Sequence, residues 1–256
     1  DSGAGAGIQA DLKTAAHFGV YCSTVITAVT AQNTLGVQKF ETVSLDLIEA
    51  QIDSIFSDIG ADSVKTGMLA NAEIIDLVAD KLKDNKVDRL VVDPVMVAKG
   101  GHQLLRDDAI EILCKKLIPL AQLCTPNIPE AEFIVKYKVD SIEKQKKAAK
   151  EICDRFGCKA TLVKGGHMNS DKLTDVLYDS AEDNFYYFES IRIPTENTHG
   201  TGCTYSAAIA SNLTIKNLHE AIKVSHRFLQ QAIEFNISIG AGHSPVNHFI
   251  SNSDNI

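Results

Sequence analysis

In the stretch "THGTGCTYSAAIASNL", Gly200 and Gly202 bracket Thr201, and Cys203 then opens an Ala/Ile/Leu run whose apolar residues recur at helical spacing. A glycine turn is therefore expected to lead straight into a helix. A helix start leaves backbone N–H groups without partners and carries the positive end of the helix dipole, so such a turn can wrap an anion closely. A thiol seated there is favoured as thiolate, which makes Cys203 a credible base or nucleophile near neutral pH. The turn lacks the Lys-Ser/Thr ending of the Walker phosphate loop, and alone it does not separate phosphoryl transfer from acyl transfer. A buried structural thiol is the competing account of Cys203. It is the preferred one for Cys22, Cys114, Cys124, Cys153 and Cys158, which sit on apolar patterns.

Other polar residues collect where apolar runs stop. "KTGM" follows Val64, "DPVM" follows Val92, "TPNIPE" follows Cys124, and "KGGH" follows Val163. In an open α/β sheet such turns share the carboxyl edge of the strands, where ligands bind, so separate segments are expected to build one site together with "THGTGC". The bland alternative is that Gly and Pro merely punctuate loops. Asp93 ends "RLVV" and is held at the strand edge by Pro94, and Glu130 sits three residues after Asn127 near a helix start. Together the two carboxylates could hold a hydrated Mg²⁺, although "N-x-P-E" is equally well explained as helix capping by Asn127 and Glu130. Lys164, at the end of "TLVK", faces the same edge and can neutralise a phosphate.

The elements that must position these residues follow from patterning. Helices are expected over 8–19, 44–59, 71–84, 107–119, 141–156, 201–214 and 218–238. Between them lie apolar or β-branched runs from Val20 ("VYCSTVITAVTA"), Asp62, Arg89, Gln122 and Ala160 that suit strands buried on both faces. "LTDVLYDS" and "NFYYFESIRI", separated by "AEDN", read as an antiparallel edge hairpin. "EKQKKAAKE" reads as the solvated face of a helix.

With 256 residues and 45% hydrophobic content the chain can bury a large core, and a single α/β domain over 1–256 is expected. The formal charge of -8 argues against a nucleic-acid surface while leaving room for a locally positive pocket. Six scattered cysteines without a CxxC pair suit reduced thiols in the cytoplasm. No run reaches the length of a membrane span, no leader precedes Asp1, and the missing initiator Met suggests a trimmed start.

Taken together, "GAGIQADLKT", "TAVTAQNTLGVQ", "VKTGML", "VVDPVMVAK", "TPNIPEAE", "VKGGH", "THGTGCTYSAAIASNL" and "SPVNHF" resemble the bacterial hydroxymethylpyrimidine and phosphomethylpyrimidine kinases of thiamine biosynthesis, in order and over nearly the whole chain. The resemblance implies a ribokinase-like fold, a three-layer α/β/α sandwich with a central mostly parallel sheet and a short antiparallel edge hairpin. It also implies ATP with Mg²⁺, a homodimer, and two successive phosphorylations of 4-amino-5-hydroxymethyl-2-methylpyrimidine. Carried onto this sequence, it makes Gly200, Thr201, Gly202 and Cys203 the anion hole and gives Gln32 the pyrimidine, whose amine and ring nitrogen an amide complements. Ala6, Met68 and Val95 would line the ring pocket with Asp11 close by; Asp93, Asn127, Glu130, Lys164 and Thr198 would serve metal and nucleotide phosphates. Plain packing explains Met68 and Val95 nearly as well, and a solvated loop amide is the alternative for Gln32.

The chain departs from the family pattern in places. The family begins with a strand ending "TIAGSD", and here the chain starts at that Asp, so a central strand is expected to be absent. Gly100 and His102 stand where Ser and Asp are usual, His226 where lysine is common, and Ser244 for a usual Gly, a small change. Three rivals stay open: a pyridoxal kinase of the same superfamily, a hydrolase using Cys203 with His199 or His167, and a non-catalytic binding module.

Overall fold

Two apolar runs, "LVV" and "ATLV", are buried at every residue, as strands flanked on both faces must be. In the computed structural model, which describes residues 1–96, 105, 107–168 and 170–250, they are β4 (Leu90–Val92) and β6 (Ala160–Val163) of a six-stranded sheet. Gly100 and His102 lie outside the described residues. The chain forms two compact units: a first from Asp1–Thr24, Val29–Glu41 and Ile193–Ile256, and a second from Val25–Ala28 and Thr42–Arg192.

The second unit holds that sheet, with strand order β3 (Val64–Thr66), β4, β5 (Leu123–Cys124), β6, β7 (Lys172–Asp179) and β8 (Asn184–Ile191). β3 to β6 are parallel, and β7 and β8 close the edge as the expected antiparallel hairpin, in register from Lys172↔Ile191 to Asp179↔Asn184. Its helices are α2 (Leu45–Ser54), α3 (Ala72–Asp84), α4 (Asp107–Ile112), α5 (Ile128–Val135) and α6 (Ile142–Phe156). One apolar core, including Ile48, Ile75, Leu90, Leu117, Cys124 and Ile152, runs through them. α6 is amphipathic as read: Ala148, Ala149 and Ile152 are buried beneath the lysines, Ser141 caps the Lys144 N–H, and Gly157 ends the helix in the left-handed conformation. Cys158 then folds back so that its sulfur lies 3.6 Å from that of Cys153, the apolar contact that accompanies such a helix end.

The first unit is built on α1 (Gly7–His17), α7 (Thr201–Leu213) and α8 (Leu218–Glu234), with α7 packed against both others. Every residue of α7 from Thr204 to Leu213 is buried, which explains its small, apolar composition all round. β1 (Ala28–Asn33) and β2 (Gly36–Thr42) form a separate two-stranded sheet joined by Thr34 and Leu35.

Several expected boundaries shift. The run from Val20 is not one buried strand. Residues 20–26 pair in no sheet; the Gln51 side chain instead accepts from the Ile26 N–H (2.9 Å) and donates to its carbonyl (3.2 Å), and only 28–33 become a strand, half exposed. Helices expected to reach 59 and 119 close earlier, at Ser54 and Ile112, with a wider turn beyond each, and the last ends at Glu234 rather than 238. α5 was expected only as a helix start near Glu130, without bounds, and β2 was not expected as an element.

Candidate active site

The glycine turn of the first unit has the expected form. Gly200 takes φ +80 and serves as the N-cap of α7, and no side chain caps that helix start. A side chain at Gly200 would collide with the Gly5 carbonyl oxygen at 1.8 Å, so glycine is required twice, by conformation and by space. Cys203 lies in the first turn of α7, half-buried, and its sulfur accepts the Gly7 N–H at 3.4 Å. Gly7 opens α1, so the sulfur sits at the positive ends of two helices, a setting that favours thiolate. The thiol was expected at one helix start; the second is a finding.

Gln32 is half-buried on the inward-facing side of β1 together with Thr30. The Ser2 hydroxyl donates to its carbonyl (2.7 Å) and accepts its N–H (2.8 Å). The amide lies 3.2 Å from the Thr30 hydroxyl at one end and 3.2 Å from His199 Nε2 at the other. That same Nε2 is 3.0 Å from Asp1 Oδ2. The Asp1 carboxylate also accepts the N–H groups of Gly3, Gly5 and Ala6, which shapes the turn before α1. Beside His199 a cleft of about 350 Å³ is lined by Gly3, Asn33, Leu35, Ile239 and Pro245 among others. Asp11 is half-buried on α1, and the Thr198 carbonyl accepts the Thr201 N–H at 3.4 Å.

Ser244 is more than a small change. Its hydroxyl donates to the Ile239 carbonyl (2.8 Å) and accepts the Ile239 N–H (2.9 Å), and its carbonyl receives the His199 N–H (3.2 Å). His226 lies on α8 with its ring 6.2 Å from that of Tyr205, a packing position.

In the second unit the ends of three parallel strands bring the expected charges together. Lys164 Nζ donates to Asp93 Oδ1 at 2.9 Å, and Thr125 donates to the same oxygen at 3.1 Å; Asp93 is 3% exposed. Burial works against charge on both partners. Even so, Lys164, with Lys65 behind it, holds the Asp93 carboxyl below its usual range, while Asp93 and Glu130 hold the Lys164 ammonium above its own. Glu130 differs: burial pushes it up to about 7, with Lys164 opposing and Asp93 adding to the rise. Its Oε2 accepts the Asn127 N–H (2.8 Å) while Asn127 Oδ1 accepts the Glu130 N–H (2.9 Å), so the capping box is present; Glu130 also accepts the Met96 N–H. Met68 and Val95 are half-buried, the Met68 carbonyl accepting from Thr27 and the Val95 N–H donating to the Asp93 carbonyl.

Among the described residues no third carboxylate, histidine or cysteine joins Asp93 and Glu130 in a cage. Two buried carboxylates fit an ion that draws its remaining ligands from water and phosphate.

Sequence reasoning passed over Asp1, Ser2, Thr30 and Lys65, and gave His199 a role only as a hydrolase partner. Lys65 carried a signal: a lysine in the short strand β3, two residues before Gly67, whose missing side chain leaves room for the ammonium 3.1 Å from where a Cβ would stand.

The model of the family described as phosphomethylpyrimidine kinase matches residues 1–247. The chain belongs to the phosphomethylpyrimidine kinase family. As a member it is a phosphotransferase, which sets aside the hydrolase and binding-module alternatives. It is 44% identical to the hydroxymethylpyrimidine/phosphomethylpyrimidine kinase of Bacillus subtilis (strain 168), over 97% of this chain and 92% of that one. A solved phosphomethylpyrimidine kinase from Clostridium difficile 630 superposes with a TM-score of 0.81 at 41% identity, covering 91% of this chain and 95% of the other. The pyridoxal kinase of Staphylococcus aureus, solved in complex with AMP-PCP and pyridoxal, superposes with a TM-score of 0.89 at 33% identity, covering 97% and 90%. The expected ribokinase-like fold class of this kinase family therefore stands.

Proposed function

We propose that the chain transfers the γ-phosphoryl group of ATP to the hydroxymethyl oxygen of 4-amino-5-hydroxymethyl-2-methylpyrimidine, and then a second one to the resulting monophosphate. The observation that carries this reading is a sulfur held by the Gly7 N–H at the start of α7, beside backbone N–H groups that no side chain caps.

Phosphoryl transfer asks a protein mainly for alignment and for neutralisation of charge on the equatorial oxygens. Gly200, Thr201, Gly202 and Cys203 direct peptide N–H groups at those oxygens. Lys164, released from Asp93 as phosphate arrives, supplies a positive charge. Asp93 and Glu130 would hold Mg²⁺, which when bound screens the triphosphate; Asn127 and Thr198 contribute to the nucleotide side. Gln32 reads the amine and ring nitrogen, with Ala6, Asp11, Met68 and Val95 around the ring. In the first step the Cys203 thiolate takes the alcohol proton as the new O–P bond forms and the bond to ADP breaks; in the second the acceptor is already ionised.

We further propose a cytoplasmic homodimer that binds neither nucleic acid nor membrane. All six cysteines are thiols, which suits a reducing compartment, and the Val29, Leu35 and Phe40 side chains are exposed on the β1–β2 sheet. Sedimentation is expected to return twice the 27.8 kDa chain mass.

The likeness to a pyridoxal kinase supports a second reading, pyridoxal as acceptor. ATP consumption measured side by side with the aminopyrimidine alcohol, its monophosphate and pyridoxal decides. The proposal expects both pyrimidines to outrun pyridoxal; the reverse order overturns the substrate assignment.

A further inference from the structure

We infer that His199 is a positioning residue that sets which end of the Gln32 amide is oxygen and which is nitrogen, and so selects an amino-pyrimidine edge over an oxo-pyrimidine edge. The inference rests on the reading of Gln32 as the ring contact.

Asp1 sets the first constraint. Its carboxylate, 3% exposed at the side chain, already takes three backbone N–H groups, and an ionised carboxylate can only accept. His199 Nε2, 3.0 Å away, must therefore bring the proton to that contact. A ring nitrogen that carries a proton has no lone pair in the ring plane, so it cannot also accept from the Gln32 amide 3.2 Å away. As placed, Gln32 Oε1 accepts from the Thr30 hydroxyl and Gln32 Nε2 faces His199 Nε2, which sets N–H against N–H once the ring proton is there. Turning the amide over removes that conflict: the Nε2–H is then shared between Asp1 and the amide oxygen, and the amide NH₂ donates to the Thr30 hydroxyl.

The histidine is not able to drift out of this role. A Cβ on Gly5 would stand 2.4 Å from its Cδ2, so the ring packs directly on the Gly5 backbone. Its own N–H and carbonyl are tied to Ser244 and Val246, each at 3.2 Å. Gln32 is equally fixed by Ser2. With both backbones held, the open question for the amide is its orientation, and the proton on Nε2 answers it.

The chemical consequence is a choice between substrate edges. An amide whose oxygen is on the His199 side and whose nitrogen is on the Thr30 side accepts from an exocyclic amine and donates to the neighbouring ring nitrogen. An oxo group next to a ring N–H presents the reverse order. Binding it would require the amide to turn over and set N–H against N–H at His199, and a site built to hydrogen-bond one pattern rejects the other because its own groups are left unpaired.

Two measurements on the intact protein test this. Long-range ¹H–¹⁵N correlation of the His199 ring should show a proton on Nε2; a ring protonated on Nδ1 alone overturns the inference. Then kcat/KM is compared for the 4-amino substrate and its 4-oxo counterpart. Wild type should favour the amino compound by about 100-fold or more. His199→Phe, which keeps a ring but loses the N–H, should narrow that preference about tenfold or more, chiefly by raising KM for the amino compound, and His199→Gln, which returns an N–H, should recover most of it. Should His199→Phe not fold, Thr30→Val removes the opposite anchor of the amide and carries the same expectation. An unchanged preference in a folded variant sinks the inference alone. A wild type inert on both pyrimidines sinks the reading of Gln32 and the inference with it.

Discussion

As the proposed base, the Cys203 sulfur that receives an N–H from α1 and opens α7 has a task only while the acceptor still carries a proton. Cys203→Ala should therefore slow phosphorylation of the alcohol about 100-fold, as expected for losing a general base, while the monophosphate step changes only a few-fold. Separate kcat values for the two acceptors check this, and equal loss in both would leave Cys203 a positional role. Asp93 and Lys164 make the opposite kind of pair. Each is buried and each keeps its partner charged; on the proposed reading incoming phosphate unmakes the pair, because the ammonium gains three anionic oxygens for the one carboxylate it leaves.

At the scale of the element, the α7 start depends on two peptide groups approaching without side chains. Gly200→Ala would place a methyl group against the Gly5 carbonyl and strain a left-handed residue. It should destabilise by about 2 to 5 kcal/mol in chemical denaturation and abolish transfer, from backbone strain plus overpacking. α5 offers a titration. Glu130 has a folded pKa of about 7 against an ordinary 4.5, so the folded state binds more protons between those values, and stability falls as pH rises across that window, by roughly 3 kcal/mol at most. His248, 4% exposed and bonded to the Thr204 hydroxyl, is pushed down to about 4, mainly by burial and also by Lys13 and His17, and contributes the other sign: stability is lost as pH falls from 6.5 toward 4. The two slopes offset each other in wild type between pH 4.5 and 6.5, so denaturation of Glu130→Gln from pH 4.5 to 8 should uncover the His248 rise and remove the remaining fall toward pH 7. A pH profile identical to wild type would show that Glu130 does not titrate there.

These elements also show what a sequence discloses. "LVV", "ATLV" and the β7–β8 hairpin were legible because each pattern is local: continuous apolarity for strands covered twice, alternation around a turn for an edge. The α7 start was legible for the same reason. The run from Val20 misled because its apolar residues meet no strand; a glutamine on α2, 25 positions on, takes the backbone bonds of Ile26. The Asp1–His199–Gln32 chain was out of reach too, since its members are 31 and 167 positions apart and none is unusual where it stands. Where Asp93 and Lys164 were concerned, strand-end position was enough to nominate them, but not to show that they bind each other.

At the scale of the molecule, the second unit is almost one continuous stretch, and its strands lie side by side in the order in which they occur in the chain. The first unit is assembled from both ends of the sequence. Local partners close smaller loops and form sooner, so pulse-labelled hydrogen exchange during refolding should protect amides of β4 to β8 before those of α1 and α7. Simultaneous protection would contradict that order. On the ribosome the same discontinuity becomes a timing rule: the sheet can be finished while the tail is still being translated, whereas Gly5 and Gly7 must wait for residues almost two hundred codons downstream. The proposed transfer site is thus complete only once α7 has been translated, and a message truncated before it yields a sheet-bearing product that cannot fire.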